Sequence, residues 1–288
     1  MPDPTPETAI LLISAPDQRG LVASVAELLY RHQANILHAD QHIDAESNQF
    51  FMRVEWGLEG FDLEIEAFRR LFRPLADRMR MQWRLELSAL PQRVAIFVSR
   101  YDHCLVDLLY RQRSGELNCT IPLVISNHPD TADLARFYGT RFEVTPVSAD
   151  TKAEAEQRQL ELLREQRIDL VVLARYMQVL TPRLLEHFPS RIINIHHSFL
   201  PAFLGARPYH RAHERGVKLI GATAHYVTEV LDEGPIIEQD VARVSHRNQV
   251  DDLVQKGRDL EKVVLSRAVR WHCEHRILTY GNKTVVFD

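Results

Sequence analysis

The sequence predicts an α/β chain in two parts. A small β-α-β-β-α-β unit comes first, followed by a larger, Rossmann-like unit on a mostly parallel sheet. Three observations predict this. Over residues 1–88 the apolar spacing switches between strand and helix periods in that order. A proline-bearing break around Pro91 follows, at 89–92. Beyond it, from 93 to 288, short apolar runs alternate with amphipathic stretches, the pattern of parallel β-α units with helices on both faces.

In the first part, Ala9 to Ile13 is a buried-strand run. Leu21, Val22, Val25, Leu28 and Leu29 share helical spacing within 20–33. Residues 35–43 and 49–56 read as paired strands around a turn at Glu46-Ser47-Asn48. Apolar residues from Phe61 to Leu75 recur at helical intervals, and 82–87 alternate as a last strand. In the second part, Val94 to Val98, Leu123 to Ser126, Leu170 to Leu173 and Ile192 to Ile195 are strands. Leu105 to Tyr110, Thr131 to Phe137, Thr151 to Arg167 and Pro182 to His187 are helices. A β-rich stretch, 219–244, precedes one long helix over 249–273.

Composition narrows the function. At 288 residues the chain has room for about two domains. Lys plus Arg number 35 and Asp plus Glu 39, a formal charge of −4, which argues against a nucleic-acid binder with a strong overall positive field, though not against a local patch. No apolar run is long enough to span a bilayer, and residues 1–7 lack a secretory pattern. Cys104, Cys119 and Cys273 lie far apart without a C-x-x-C, so neither a disulfide framework nor a four-cysteine zinc site is expected, and a reducing cytoplasm suits the chain.

The chemistry concentrates where the strand at 192–195 ends, in Asn194-Ile195-His196-His197-Ser198-Phe199-Leu200-Pro201. In a parallel sheet, reactive groups gather beyond the carboxyl ends of strands. Asn194 and His196 are two apart and share a face in extended chain. An amide donor and an imidazole on one face suit the polarisation of a carbonyl and its oxyanion. Downstream, His225 lies in a β-stretch, and Asp232-Glu233-Gly234-Pro235 forms a turn. A carboxylate there relays protons if it reaches His196, but the spacing alone does not establish that contact. Taken singly, each feature has a plainer explanation: a loop or core histidine pair, and an ordinary turn. His210 and His213 read as solvent-exposed, because no H-E-x-x-H zinc pattern surrounds them. Ser198 lacks the G-x-S-x-G setting of a nucleophile elbow.

Together the parts are more specific. Asn194-x-His196-x-Ser198-x-Leu200-Pro201, then Gly205, His225 and Leu231-Asp232-Glu233-Gly234-Pro235, resemble the folate-dependent formyltransferases. Ala174-Arg175-Tyr176-Met177-Gln178-Val179-Leu180, Ser99 to Leu105 and Ser126-Asn127-His128 are similar to the formyltetrahydrofolate deformylase branch. Asp17-Gln18-Arg19-Gly20-Leu21-Val22 and Asn35-Ile36 resemble an ACT regulatory domain.

The resemblance implies an N-terminal ferredoxin-like βαββαβ ACT domain followed by a formyltransferase-fold domain. It implies hydrolysis of 10-formyltetrahydrofolate to formate and tetrahydrofolate, which supplies formate for purine biosynthesis and balances the one-carbon folate pool. Asn194, His196 and Asp232 would be catalytic, with His225 supporting them. Met177, Gln178, Val179, Leu180, Thr228 and Glu229 would take the pterin. Asp17, Gly20, Leu21 and Asn35 would form a regulatory amino-acid site, with methionine or glycine as first candidates, and the chain would be a homo-oligomer. Neither a metal nor a separate cofactor is implied, since the folate is the substrate, and neither nucleic acid nor membrane is a partner.

The stretch Ser99 to Leu105 contains no glycine, unlike the phosphate-cradling loop of the glycinamide ribonucleotide enzymes, so water is the favoured acceptor. A transferase with an amine acceptor, a non-catalytic folate and amino-acid sensor, and a metal-dependent amidohydrolase are the rivals.

Overall fold

The computed structural model describes residues 7–202 and 208–287; Gly205 of the sequence motif lies outside them. The chain forms two compact units.

The first unit contains β1 (Thr8–Pro16), α1 (Leu21–Arg31), β2 (Asn35–Asp44), β3 (Gln49–Gly57), α2 (Ile65–Arg78) and β4 (Gln82–Leu87). Its sheet has the order β2-β3-β1-β4, and all neighbours are antiparallel, as the split βαβ pattern predicts. Each helix buries one stripe: Leu21, Val25 and Leu29 on α1, and Phe68, Phe72 and Ala76 on α2. These meet Leu11, Ile13 and Trp56 from one face of the sheet.

β1 is buried on both faces, which explains its unbroken apolar run. Its second face carries Leu12 beside Phe51 of β3, and both pack against Val285 and Phe287. Burying a ring such as Phe287, which is 1% exposed, is worth about 1.5–3 kcal/mol. Arg53 donates from Nε to the His275 carbonyl at 3.1 Å, and Arg84 donates to the Ile277 carbonyl at 2.8 Å. Residues 274–280 and 285–287 therefore belong to the first unit, although the sequence division assigned all of 93–288 to the second.

The second unit runs β5 (Gln92–Val98), α3 (His103–Ser114), β6 (Cys119–Ser126), α4 (Ala132–Phe137), β7 (Arg141–Val144), α5 (Lys152–Glu165), β8 (Leu170–Ala174), α6 (Pro182–His187), β9 (Ile192–His196), α7 (Pro208–Arg215), β10 (Leu219–Tyr226), β11 (Ile236–Arg243) and α8 (Val250–Cys273). A hairpin, β12 (Ile277–Tyr280) and β13 (Lys283–Val286), ends the chain. The large sheet has the order β11-β10-β9-β8-β5-β6-β7. The pairings from β9 through β7 are parallel, and β10 is antiparallel to both β9 and β11. The chain leaves β5 toward β6 and later returns through β8 on the other side. That reversal opens a crevice beyond the carboxyl ends of β5 and β8.

Four short elements escape the sequence reading. β7 is an edge strand of four residues, two of them charged, without an apolar run. α7 buries only Pro208, Tyr209 and Ala212. β12 and β13 have four residues each, too few for a period to show. Among the described residues, no helix is long and apolar enough to cross a membrane. Cys104, Cys119 and Cys273 are buried free thiols, and His210 and His213 are exposed.

Candidate active site

Asn194 and His196 stand on one face at the carboxyl end of β9. β10 runs beside β9 in antiparallel register, with His225 opposite Asn194. The Nδ2 of Asn194 lies 3.2 Å from the Nε2 of His225. A shift in the β10–β11 pairing falls between Ala224 and His225, where an irregularity re-aims a side chain. The connection from β10 to β11 carries Asp232, whose backbone adopts a left-handed φ of 59°. It is tied at its base by the Tyr226 amide donating to the Pro235 carbonyl at 2.9 Å. A Cβ on Gly234 would stand 1.7 Å from the Tyr226 carbonyl oxygen, so only glycine passes there.

This loop brings Asp232 Oδ1 to 3.2 Å from Nδ1 of His196 and 3.7 Å from Nε2 of His225. The contact that spacing could not establish is therefore present. Hydrogen bonding from His196, then from His225, holds the Asp232 carboxyl well below the ordinary carboxylate range, against the effect of burial. The Nδ1 of His225 faces the Tyr226 carbonyl at 2.9 Å and donates to it. Nε2 lies between the Asn194 amide and Asp232: in the neutral ring it accepts from Asn194, in the charged ring it donates to Asp232, and the second amide hydrogen of Asn194 stays available in either case. His196 donates from Nδ1 to Asp232, and its Nε2 is buried without a partner.

These groups line one wall of a cavity of about 540 Å³. Met177, Gln178, Val179, Leu180, Thr228 and Glu229, all expected at a pterin site, line the same cavity. Met177 and Val179 are more than half exposed, at 56% and 57%, which sets them apart from core packing; Leu180 is buried. The 175–181 segment is held from behind. The Met177 amide donates to Ser99 Oγ at 3.0 Å, and Ser99 donates in turn to Asn127 at 2.7 Å. Gln159 donates to the Tyr176 hydroxyl at 3.1 Å, and the Thr181 amide to Glu156 at 2.9 Å. Burial pushes the Tyr176 hydroxyl up to about 12.

A third group of residues lines the cavity and was missed as a site. Glu261 of α8 is 1% exposed. It accepts from His103 Nε2 at 2.8 Å and from the Tyr209 hydroxyl at 2.7 Å, with Arg175 Nε at 3.5 Å. Burial raises its carboxyl, but the His103 hydrogen bond and the Arg175 charge outweigh that and leave it below the ordinary range. Burial and the Arg175 charge push His197 down to about 3, so it is neutral at pH 7. The signal was available in the sequence: Gly257, Glu261, Val264, Leu265 and Ala268 form one helical stripe, and an acid interrupts it.

Residues 92–269 match the Formyl transferase family and residues 9–78 the ACT domain family. A formyltetrahydrofolate deformylase of Synechocystis is 57% identical over 97% of this chain and 98% of its own. The crystal structure of a formyltetrahydrofolate deformylase from Pseudomonas syringae superposes with a TM-score of 0.97 at 47% identity, covering 100% of this chain and 96% of that one. This chain belongs to the formyltetrahydrofolate deformylase family. Glycinamide ribonucleotide transformylase 1 of Symbiobacterium toebii, by contrast, matches only 69% of this chain, with a TM-score of 0.65 at 31% identity.

The ACT unit of this deformylase-family chain does not gather all four expected regulatory residues. Asp17, Gly20 and Leu21 sit together between β1 and α1. Gly20, at φ 89°, caps α1 without a side-chain bond, and Leu21 is a core residue at 2% exposure. Asn35 lies elsewhere. It pairs with Gly57, which also pairs with Thr8 at the opposite end of β1 from Pro16. The helix α1 runs back along the sheet and returns the chain to that far end. Nine residues of strand, about 27 Å, separate the two positions.

Proposed function

We propose that the protein hydrolyses 10-formyltetrahydrofolate to formate and tetrahydrofolate, with Asn194, His196 and Asp232 as the catalytic groups. The convergence of these three side chains around one end of the cavity carries the reading. The free hydrogen of Asn194 and the unpartnered Nε2 of charged His196 donate to the formyl oxygen as it becomes an oxyanion. Asp232 holds the Nδ1–H of His196 and orients the attacking water. A carboxyl held so low is a weak base, so it takes the water's proton as the new carbon–oxygen bond forms rather than before it, and passes that proton to the leaving folate nitrogen. The carbon–nitrogen bond then breaks. One proton ends on the folate nitrogen and one in solvent as formic acid ionises. His225 supports Asn194 and shares the charge of Asp232. Met177 to Leu180, with Thr228 and Glu229, hold the pterin against the apolar part of the cavity.

The reaction as written needs neither a metal nor a cofactor. Incubation with 10-formyltetrahydrofolate alone should yield formate without an added amine, at a rate unchanged by a chelator. A requirement for an amine would transfer the assignment to a formyltransferase. Folate binding without formate would indicate a sensor, and inhibition by the chelator a metallohydrolase.

We propose further that the ACT unit binds a free amino acid at the uncapped start of α1, beside Asp17 and Gly20, where backbone amides can hold a carboxylate. β2 is an edge strand with Ile36, Leu37 and Ile43 exposed. Pairing through that edge with a second copy would make a homo-oligomer, and Asn35 would enter the effector site only through such pairing. Calorimetric titration should show heat with methionine or glycine, together with a change in turnover; silence with both removes the effector proposal. Three buried free thiols support placement in a reducing cytoplasm.

A further inference from the structure

The cluster around Glu261 contains a guanidinium whose donors are not spent. The Nε and Nη1 of Arg175 are buried without a hydrogen-bond partner, and the nearest carboxylate contact is the 3.5 Å approach to Glu261. The two Glu261 oxygens accept from His103 and Tyr209 respectively. Leaving buried charged donors unpaired is costly, and such a group in a folded protein calls for a reason. Arg175 also adopts a left-handed φ of 62° directly after β8. Backbone strain of that kind persists where the surroundings hold a side chain in place for a task.

A second guanidinium stands nearby. Arg175 and Arg258 both approach the Tyr101 ring, at 5.4 and 5.5 Å from its centroid. Arg175 thus faces Glu261, Arg258 meets the same Tyr101 ring, both line the cavity, and neutral His197 adds no charge. A ladder of side chains joins this wall to the reacting end. His196 and His197 rings are 5.3 Å apart, His197 and Tyr209 6.0 Å, and Tyr209 bonds Glu261. At the reacting end stands ionised Asp232. The proposed hydrolysis creates a carboxylate beside that carboxylate, and like charges repel.

Resting on that reading of the reaction, we infer that Arg175, backed by Arg258 across Tyr101, forms a subsite that receives the product formate. The unpaired N–H groups of a guanidinium match the planar oxygens of a small carboxylate. The folate tail also ends in a carboxylate, so the two sources of the same chemistry must be separated.

Binding of ¹³C-formate, followed by NMR with the full-length protein in the absence of folate, reads the subsite independently of turnover. Formate should bind the wild type, and Arg175→Met should weaken it by about tenfold or more, the loss of one charge-assisted bond. The inhibition constant for formate should rise in parallel, with the KM for 10-formyltetrahydrofolate little changed. No formate binding to the wild type, or equal binding to the variant, overturns the inference. A rise in KM with formate binding intact overturns it in favour of the folate tail. If Arg175→Met does not fold, Arg258→Gln must weaken formate binding in the same direction, and unaltered binding there is equally fatal. Formate production from the substrate tests the underlying reaction separately.

Discussion

Replacing Asp232 by asparagine is expected to lower kcat by about 10²- to 10⁴-fold, the usual share of a positioned proton-transfer group, while KM and overall fold change little. The side chain keeps its shape but loses its charge. His196 donates Nδ1–H to Oδ1 of Asp232 at 3.2 Å, which fixes the orientation of the ring and leaves its buried Nε2 without a partner in the protein. Asparagine offers a weaker acceptor, or presents an N–H that turns the ring away. Steady-state kinetics with 10-formyltetrahydrofolate, alongside folate binding, separate the two effects; a kcat equal to wild type removes Asp232 from the chemistry.

The pH dependence of stability carries a second signature of the same residue. The carboxyl is depressed from its ordinary 3.8 by His196 and then His225. Its contribution to stability is thus fully present above that value and is lost as pH falls toward the depressed one. Denaturant titrations should show the gap between wild type and Asp232→Asn constant from pH 7 down to about 5 and closing below about 4. A gap that widened on acidification would mean that the carboxyl is raised rather than lowered.

Much of this site could be read from the sequence because it obeys the shortest periods. Asn194 and His196 are two positions apart at the end of a five-residue strand, so extended geometry alone puts them on one face. In the first unit β4 was legible from its alternation, and β1 from an unbroken apolar run. What failed to show was set by contacts distant in sequence. Asn35 was grouped with Asp17 by motif, but the return path of α1 puts the strand's length between them. Residues 274–280 and 285–287 looked like a tail of the second unit, yet the second face of β1 needed cover, which Val285 and Phe287 supply together with Leu278 and Tyr280. Arg175 and Glu261 are 86 positions apart, and no local pattern announces that an acid on the apolar stripe of α8 awaits a cation at the end of β8.

Gly234 offers the sharpest test of how Asp232 reaches its partners. Among the glycines of the described residues, a Cβ at Gly234 makes the closest approach, 1.7 Å, and it does so to backbone, the Tyr226 carbonyl oxygen. Gly60 and Gly139 have open space at the same position and serve as comparisons for backbone strain alone, since both lie at positive φ. The Tyr226 carbonyl cannot withdraw freely. It accepts from Nδ1 of His225 at 2.9 Å, and the amide of the same residue donates to Pro235. Gly234→Ala must therefore push the loop outward, carrying Asp232 off His196 and loosening His225 from its acceptor. The expected cost is about 1–3 kcal/mol of stability, as for other overpacked sites, together with a loss of turnover comparable to that of Asp232→Asn. Because both changes act through one contact, the double variant Asp232→Asn with Gly234→Ala should lose little more turnover than either single change, a marked departure from additivity. Multiplied losses in that cycle would show that the loop contributes to turnover by a route other than the carboxylate it carries.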